Sequence, residues 1–320
     1  MKPVELLDAN LEAMTTFAFM DLIRLGLELG IFQKIDPEGT SLEALAQMTS
    51  VSNKERVKDL LRTYVSLGVL EEEDGLIRPS NFECSFKAQK RDLKKLFPDW
   101  ISILDELHKM SEYSFISKEH PKILMDFDKG SDFWDMRLMS EPYPTSRRVV
   151  SELLKLEDGM RVVDFGCGSV SPVELGALVG PNGKYVGVDF SPGLLTIAET
   201  RAREEGLDWV TLREIDIRKA MPKNGYDGVI MSFLLEYFKN PQEIIEKGLE
   251  TLNPGGKMII VEPFRENFPL ITSMEFFEKL TPEFHRFPSV SSILRFLEDS
   301  PHDLKVEQVG RSVLLITLFS

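Results

Sequence analysis

From Arg161 onward the sequence alternates short apolar runs, rich in β-branched residues, with segments of helical spacing. The runs are RVVDF, KYVGVDF, WVTLREID, YDGVIMSF and KMIIVEPF. Strands that alternate with helices form a parallel sheet, because each crossover helix returns the chain to the same edge. Two further runs, LKVEQVG and SVLLITLF, are joined by a tight link at Gly310 and Arg311. The sequence therefore predicts an α/β fold with a seven-stranded, mostly parallel sheet that ends in an antiparallel C-terminal hairpin.

The chain before this pattern divides into two regions. Residues 1–82 contain an apolar helix, a short helix over 42–48, a longer helix and the hairpin sequence EEEDGLIRPS. This order is typical of a winged helix, which either reads DNA through its longer helix or pairs subunits. Residues 83–157 are helical and rich in aromatic side chains. We predict that they bridge to an α/β domain over 158–320, since 320 residues suit two domains.

Composition narrows the classes of partner. The net charge of −14 repels nucleic acid overall, although two local basic patches oppose it. These patches are KAQKRDLKK at 87–95 and the stripe formed by Lys54, Lys58 and Arg62. No apolar run reaches the ~18 residues of a membrane span, so a cytoplasmic protein is expected. The two cysteines and four histidines lack the spacing of a disulfide framework or a zinc site, and no metal is expected.

Glycines and acidic residues follow the first three strands of the α/β region. Gly166 and Gly168 come after the first strand, where small residues let a ligand approach the backbone. Asp189 ends the second strand, and its carboxylate can accept hydrogen bonds from both ribose hydroxyls of a nucleoside. Asp216 ends the third strand, where it can accept a hydrogen bond from an adenine amino group while Ile217 covers the ring. These three strand ends together predict a nucleoside-binding edge of the sheet.

Five segments carry a family resemblance: VVDFGCGS, YVGVDFSPGLL, REIDIRKAMP, YDGVIMSFLLEYF and LNPGGKMIIVEPF. In order and spacing they resemble the successive motifs of the class I methyltransferases that use S-adenosylmethionine (SAM). The resemblance implies a Rossmann-like domain with SAM as cofactor. Residues 10–80 resemble, more loosely, the winged-helix dimerisation domain of the plant-type O-methyltransferases. That second resemblance implies a homodimer.

The same resemblance assigns residues to SAM. It implies that Gly166, Cys167 and Gly168 line its methionine part, with Cys167 as a packing residue and not a nucleophile. Asp189 is expected to hold the ribose, and Asp216 and Ile217 to face the adenine. The remaining residues expected in the cofactor site are Asp164, Phe190 and Ser232.

The end of the fourth strand, MSFLLEYF, is where methyltransferases of this class place groups that contact the methyl acceptor. The plant-type family has a histidine base a few residues beyond this strand, and Glu236 stands at that position here. We therefore predict that Glu236 is catalytic and accepts the acceptor's proton. The alternative is that Glu236 only orients the loop before Asn240. Phe233, Tyr237 and Phe238 are expected to contact a flat acceptor, with core packing as the alternative.

The sequence leaves several functions open. The favoured one is methylation of an oxygen or an exocyclic nitrogen on a small metabolite. The first alternative is methylation of a base in structured RNA, for example the exocyclic amine of cytosine, with the basic patches contacting phosphates. A remote alternative is a winged-helix regulator that senses SAM. A dehydrogenase is disfavoured, because its fingerprint requires a third glycine where this chain has Ser171.

Overall fold

The computed structural model describes residues 2–80, 82, 100–117, 125–219 and 225–319. The chain divides into two compact units. One, here called the sheet unit, comprises Met1–Leu11, Asp126–Phe268 and Glu283–Ser320. The other, the helical unit, comprises Glu12–Met125 and Pro269–Pro282. Within the described ranges, no helix is both long enough and apolar enough to cross a membrane.

The described residues form eleven helices and ten strands. The helices are α1 (Pro3–Glu28), α2 (Leu42–Met48), α3 (Lys54–Ser66), α4 (Trp100–Ile116), α5 (Ser131–Met139), α6 (Tyr143–Leu154), α7 (Ser171–Val179), α8 (Pro192–Glu204), α9 (Pro241–Thr251), α10 (Ile271–Glu278) and α11 (Val290–Glu298). The strands are β1 (Thr40–Ser41), β2 (Leu70–Glu73), β3 (Leu76–Pro79), β4 (Arg161–Phe165), β5 (Lys184–Asp189), β6 (Val210–Glu214), β7 (Tyr226–Ser232), β8 (Leu252–Val261), β9 (Leu304–Val309) and β10 (Val313–Leu318). Short 3-10 turns lie at Phe32–Lys34, Leu235–Tyr237 and Arg265–Asn267.

Seven strands form one sheet in the order β6-β5-β4-β7-β8-β10-β9. The first five strands in this order pair in parallel, and β10 pairs antiparallel with both β8 and β9. The predicted α/β sheet with its antiparallel C-terminal hairpin is therefore confirmed. One strand differs in length, since β8 begins at Leu252 while the apolar run KMIIVEPF begins at Lys257.

The central strands are buried because helices cover both faces of a parallel sheet. Val162, Val163 and Phe165 of β4 have no exposed surface, and neither do Val186 and Val188 of β5. Such runs have no polar alternation, which is why the sequence shows them as continuous apolar segments. Because β4, β5, β6 and β7 pair in parallel, their carboxyl ends lie along one edge of the sheet.

The helical unit contains the helix, short helix, longer helix and hairpin in the order expected for residues 1–82. Ser41 caps α2 by accepting a hydrogen bond from the Ala44 amide, 3.2 Å away. The turn between β2 and β3 is formed by Asp74 and Gly75, which both have positive φ angles, as a two-residue hairpin turn requires. β1 completes a small three-stranded sheet by pairing with β3. The winged-helix assignment and its role in dimerisation stay predictions.

The first and last elements of the sheet unit are joined by hydrogen bonds around Asp8. This carboxylate on α1 accepts from the Arg311 amide at 2.8 Å and from the Ser312 hydroxyl at 2.5 Å. Arg311 and Ser312 form the turn between β9 and β10. Asp8 is only 8% exposed, so its polar contacts are held away from water. The start of α1 is therefore fastened to the C-terminal hairpin of the sheet.

Candidate active site

A cavity opens at the carboxyl ends of β4, β5, β6 and β7, with about 860 Å³ of empty space including its mouth. Ten residues that the sequence assigned to cofactor or acceptor lie in its wall: Gly166, Gly168, Asp189, Phe190, Asp216, Ile217, Ser232, Phe233, Tyr237 and Phe238. Further described residues in the wall are Phe127, Trp134, Leu138, Tyr143, Val188, Leu194, Ile215, Arg218, Leu234 and Glu283. The structure thus brings most of the predicted residues into one site.

The turn after β4 requires glycine at two positions. Gly166 and Gly168 have φ angles of +69° and +57°, in the left-handed region that other residues rarely adopt. A Cβ atom at Gly166 would lie 2.7 Å from a methyl group of Leu234. A Cβ atom at Gly168 would lie 2.7 Å from a methyl group of Leu138. Backbone conformation and close packing therefore both exclude larger residues from this turn.

Asp189 lies at the end of β5 and is 8% exposed. One carboxylate oxygen accepts from the Gly168 amide at 3.0 Å, and the other accepts from the Ser191 amide at 2.9 Å. Burial raises the pKa of this carboxyl group, while the amide hydrogen bonds oppose the rise. Each carboxylate oxygen has two lone pairs, so Asp189 can fix the glycine turn and still accept hydrogen bonds from a ligand.

Asp216 and Arg218 form an ion pair in the cavity wall. The Asp216 carboxylate accepts from Nε of Arg218 at 2.8 Å and from its Nη2 at 3.0 Å. The hydrogen bonds from Arg218 lower the pKa of Asp216 to about 2. Ile217, between them, is buried against the core that supports the sheet. Arg218 lies within the motif REIDIRKAMP, but its pairing with Asp216 was not predicted, because a paired arginine has no signature in sequence.

Asp164 and Cys167 belong to the first motif but are not among the described residues that line the cavity. Asp164 is 2% exposed and accepts a hydrogen bond from the Tyr185 hydroxyl. Burial raises its pKa to about 7. The Cys167 thiol is buried too, and burial raises its pKa well above the ordinary value. Such a thiol lacks thiolate character, which fits a packing residue.

Glu236 is 3% exposed and is also absent from the described cavity wall. Its side chain is hydrogen-bonded to the carboxyl group of Glu262, which has no exposed surface. Glu262 follows β8 and accepts from the amides of Leu234 and Leu235, both at 2.8 Å. Burial raises the pKa of Glu262 to about 7. The two acids therefore lie behind the loop that carries Phe233 and Tyr237.

Aromatic side chains form much of the cavity wall. Phe127 stacks on Trp134 with ring centres 4.3 Å apart, and its edge contacts Tyr237 at 5.1 Å. Phe233 has a φ angle of +50°, which is rare for a bulky residue, and its ring lies 4.8 Å from that of Tyr143. Phe127, Trp134 and Tyr143 were not predicted to line the site, because they belong to the segment interpreted as a bridge.

Helix α5, which supplies Trp134 and Leu138 to the wall, is fastened to the glycine turn through Asp135. This carboxylate accepts from the Ser169 hydroxyl at 2.6 Å. It also accepts from both Nη atoms of Arg201, at 2.6 and 2.8 Å. Because Ser169 directly follows Gly168, the same carboxylate holds two walls of the cavity together.

The chain is similar to one protein family and, over nearly its whole length, to one known protein. A family model described as a methyltransferase domain matches residues 156–295. The uncharacterized protein MJ0906 of Methanocaldococcus jannaschii is 33% identical over 320 residues, which cover 98% of this chain and 87% of that protein. Residues 156–295 therefore form a methyltransferase domain, and the chain is a SAM-dependent methyltransferase. SAM is therefore its cofactor, and the cavity at the sheet edge is the candidate place for it.

One further relative and one solved structure are also similar to this chain. The demethylmenaquinone methyltransferase of Halalkalibacterium halodurans is 26% identical over 133 residues, or 41% of this chain. The match spans about half, 54%, of that relative. The crystal structure of the CurJ carbon methyltransferase has a TM-score of 0.61 and 16% identity, with all of both chains covered. At this identity, that structure supports the fold alone.

Proposed function

We propose that this methyltransferase transfers a methyl group to a hydroxyl oxygen or an exocyclic amino nitrogen on a planar aromatic acceptor, and that a small metabolite is the favoured substrate. The observation that carries the proposal is the aromatic wall formed by Phe127, Trp134, Phe233 and Tyr237. Rings of this kind hold a flat molecule by stacking and exclude water around it. An acceptor that lacked a flat face would leave most of this surface unused.

The cofactor would occupy the part of the cavity formed by the first three strand ends. We propose that Asp189 accepts hydrogen bonds from the ribose hydroxyls, since its buried carboxylate lines the cavity. Asp216 and Ile217 suit an adenine, because they offer a hydrogen-bond acceptor beside an apolar surface. The turn at Gly166 and Gly168 leaves the backbone open to the methionine part. SAM supplies a methyl group on a positively charged sulfur, which needs alignment more than covalent help.

Charge in the cavity favours an acceptor that is neutral and donates hydrogen bonds. The charged side chains among the described lining residues are Asp189, Asp216, Arg218 and Glu283. Arg218, the cation of this set, is already paired with Asp216. A carboxylate or phosphate group near the aromatic wall would thus meet acids and no free cation within the described lining. A phenol, an alcohol or an amino group suits the wall better.

An acceptor hydroxyl or ammonium must lose a proton during transfer, and two glutamates are candidates to receive it. Glu283 lines the cavity directly, and its Oε2 is buried without a hydrogen-bond partner among the described residues. Glu236, the residue predicted from sequence, lies behind the loop and is hydrogen-bonded to Glu262. We propose that Glu283 contacts the acceptor, and that Glu236 acts through the position of Phe233 and Tyr237.

Methylation of an RNA base is the second candidate, because a neutral nucleobase with an exocyclic amine suits the same aromatic wall. The basic patches give it limited support. Lys54 donates to the Thr49 carbonyl at 2.7 Å, and Lys58 is paired with Glu55 at 3.0 Å, so two of the three residues in the stripe are engaged. Arg62 is exposed. The run at 87–95 lies outside the described residues.

We also propose a homodimer formed through the helical unit. An apolar groove in this unit includes three exposed side chains, Met20, Leu27 and Phe82, with 52%, 55% and 38% of their surface accessible. Water contact with so many large apolar groups is unfavourable, and a second copy would remove it. Equilibrium sedimentation at micromolar concentration should give twice the chain mass of 36.5 kDa. A monomer would contradict this proposal.

The acceptor class is best tested by following the methyl group. The protein is incubated with methyl-labelled SAM and either a metabolite extract or total RNA, and the labelled molecule and atom are then identified. Label on the oxygen or nitrogen of an aromatic metabolite is expected. Labelling of an RNA base that becomes weaker when the reaction is run at higher salt would favour the second candidate, since phosphate contacts weaken as salt rises. Label on carbon or on an aliphatic molecule would contradict both.

A further inference from the structure

His108, on α4, is buried in the helical unit beside acidic side chains. Its side chain is 2% exposed, and neither ring nitrogen has a hydrogen-bond partner among the described residues. Nδ1 lies 3.6 Å from Oδ1 of Asp21, and Nε2 lies 3.6 Å from Oε2 of Glu28. Burial of an imidazole without hydrogen bonds is costly, so the arrangement calls for a group that pairs with its nitrogens.

A third possible ligand comes from the same helix. Glu112 follows His108 by four residues, so the two side chains lie on one face of α4. Ligand atoms of Glu28, His108 and Glu112 all lie within 4.8 Å of one another. Tetrahedral zinc has bonds of ~2.1 Å, which place neighbouring ligand atoms about 3.4 Å apart. The 3.6 Å between Nε2 of His108 and Oε2 of Glu28 is too long for a hydrogen bond but close to that spacing.

We propose that Glu28, His108 and Glu112 bind a divalent transition-metal ion such as Zn²⁺, with Asp21 orienting the imidazole. In this arrangement Nε2 of His108 is the ligand, and Nδ1 carries the ring proton on the side of Asp21, whose Oδ1 lies 3.6 Å away. A carboxylate behind a metal-bound histidine fixes the ring and makes the nitrogen a stronger ligand. The imidazole selects a zinc-like ion over Mg²⁺ or Ca²⁺, which prefer ligand sets made of oxygen alone.

The surrounding charge favours a cation at this place. Asp105 adds a fourth carboxylate near Asp21. Arg24 opposes them, but its Nε donates to Oε1 of Glu28 at 2.9 Å and leaves Oε2 facing the histidine ring. An ion held by Glu28 on α1 and His108 on α4 would link the two helices. This site has no recognisable spacing in the sequence, because Glu28 on α1 lies eighty positions before His108 on α4.

The test uses the full chain after its metal has been removed with a chelator and the chelator dialysed away. Calorimetric titration with Zn²⁺ should show one ion per chain, and the same ion should raise the midpoint of thermal unfolding. Glu28→Gln and Glu112→Gln should each weaken binding about tenfold or more, and Asp21→Asn should weaken it roughly 10- to 100-fold. Glu106→Gln is the matched control, because Glu106 lies on α4, has a half-exposed side chain and pairs with Lys109 instead.

Glu28 and Glu112 are exposed, so their amide variants should fold, and circular dichroism verifies this. Equal zinc affinity in the wild type, Glu28→Gln and Glu112→Gln would overturn the proposal. So would stabilisation by Mg²⁺ without binding of Zn²⁺, since His108 would then have no part. A midpoint of thermal unfolding that saturating Zn²⁺ leaves unchanged would overturn the metal site as well.

Discussion

Asp189 has two roles in the cavity. It fixes the glycine turn through the Gly168 amide and presents its carboxylate to the cavity. Asp189→Ala should weaken SAM binding about tenfold or more, because it leaves ribose hydroxyls and two backbone amides without acceptors, at roughly 1–3 kcal/mol. Calorimetry measures this. Glu214→Gln, at the exposed end of β6, is the control and should bind SAM normally. Unchanged affinity in Asp189→Ala would refute its role.

Substitutions of Glu283 and Glu236 should change different kinetic constants. If Glu283 receives the acceptor's proton, Glu283→Gln should slow turnover by the ~10²–10⁴-fold typical of general bases and change the pH profile of kcat. Glu236→Gln should act mainly on KM, because it disturbs the loop of Phe233 and Tyr237 indirectly. SAM affinity should stay nearly unchanged in both. The reverse pattern, a large loss of kcat only in Glu236→Gln, would restore the role that the sequence predicted.

At the scale of elements, α5 acts as a wall whose position depends on Asp135. The Asp135→Asn variant loses the charge that pairs with Arg201, and its cost should be roughly 1–3 kcal/mol. Because α5 carries Leu138, whose side chain packs against the turn at Gly168, SAM should also bind more weakly. Thermal unfolding and calorimetry report the two effects. Asp132→Asn removes an exposed charge from the same helix and should leave both values unchanged. Weaker SAM binding in this control would point to long-range charge instead.

Elements with strong local patterns were predictable, and those that depend on tertiary contacts were not. The strands ending at Phe165 and Asp189 followed from continuous apolar runs, and the glycine turn from its two small residues. Helix α5 joined the cavity unpredicted, because its attachment uses an Arg201–Asp135 pair separated by 66 positions. Glu236 was placed in the acceptor site by alignment with a histidine, while its side chain turned toward Glu262, which sequence spacing cannot reveal.

At the scale of the whole molecule, buried acids should make stability depend on pH. Burial raises the pKa of Asp164 from 3.8 and that of Glu262 from 4.5, both to about 7. Between these values the folded chain binds more protons than the unfolded chain, so the free energy of unfolding falls as pH rises. The midpoint of thermal unfolding should therefore be higher at pH 5 than at pH 8. Scanning calorimetry in matched buffers measures it.

Two isosteric variants test the origin of this dependence. Asp164→Asn and Glu262→Gln should each reduce the difference in the free energy of unfolding between pH 5 and pH 8. The reduction should be at most roughly 3 kcal/mol, because one pKa unit corresponds to about 1.4 kcal/mol. Asp216→Asn is the control, since the pKa of Asp216 is lowered to about 2 and its charge is constant in this range. A dependence that persists in the double variant would exclude these two acids as its source.

The position of β10 has a consequence for how the protein is made. Although it is the last strand in chain order, β10 lies between β8 and β9, inside the sheet. Until Leu318 has emerged from the ribosome, β8 therefore has one unpaired edge. Asp8 is synthesised 303 residues before Arg311, so the hydrogen bond between them cannot form until roughly 15–60 s later at ~5–20 residues per second. The β8 edge is open from the completion of that strand at Val261 to the completion of β10 at Leu318, roughly 3–11 s at the same rate, and during this time it can pair with a neighbouring chain.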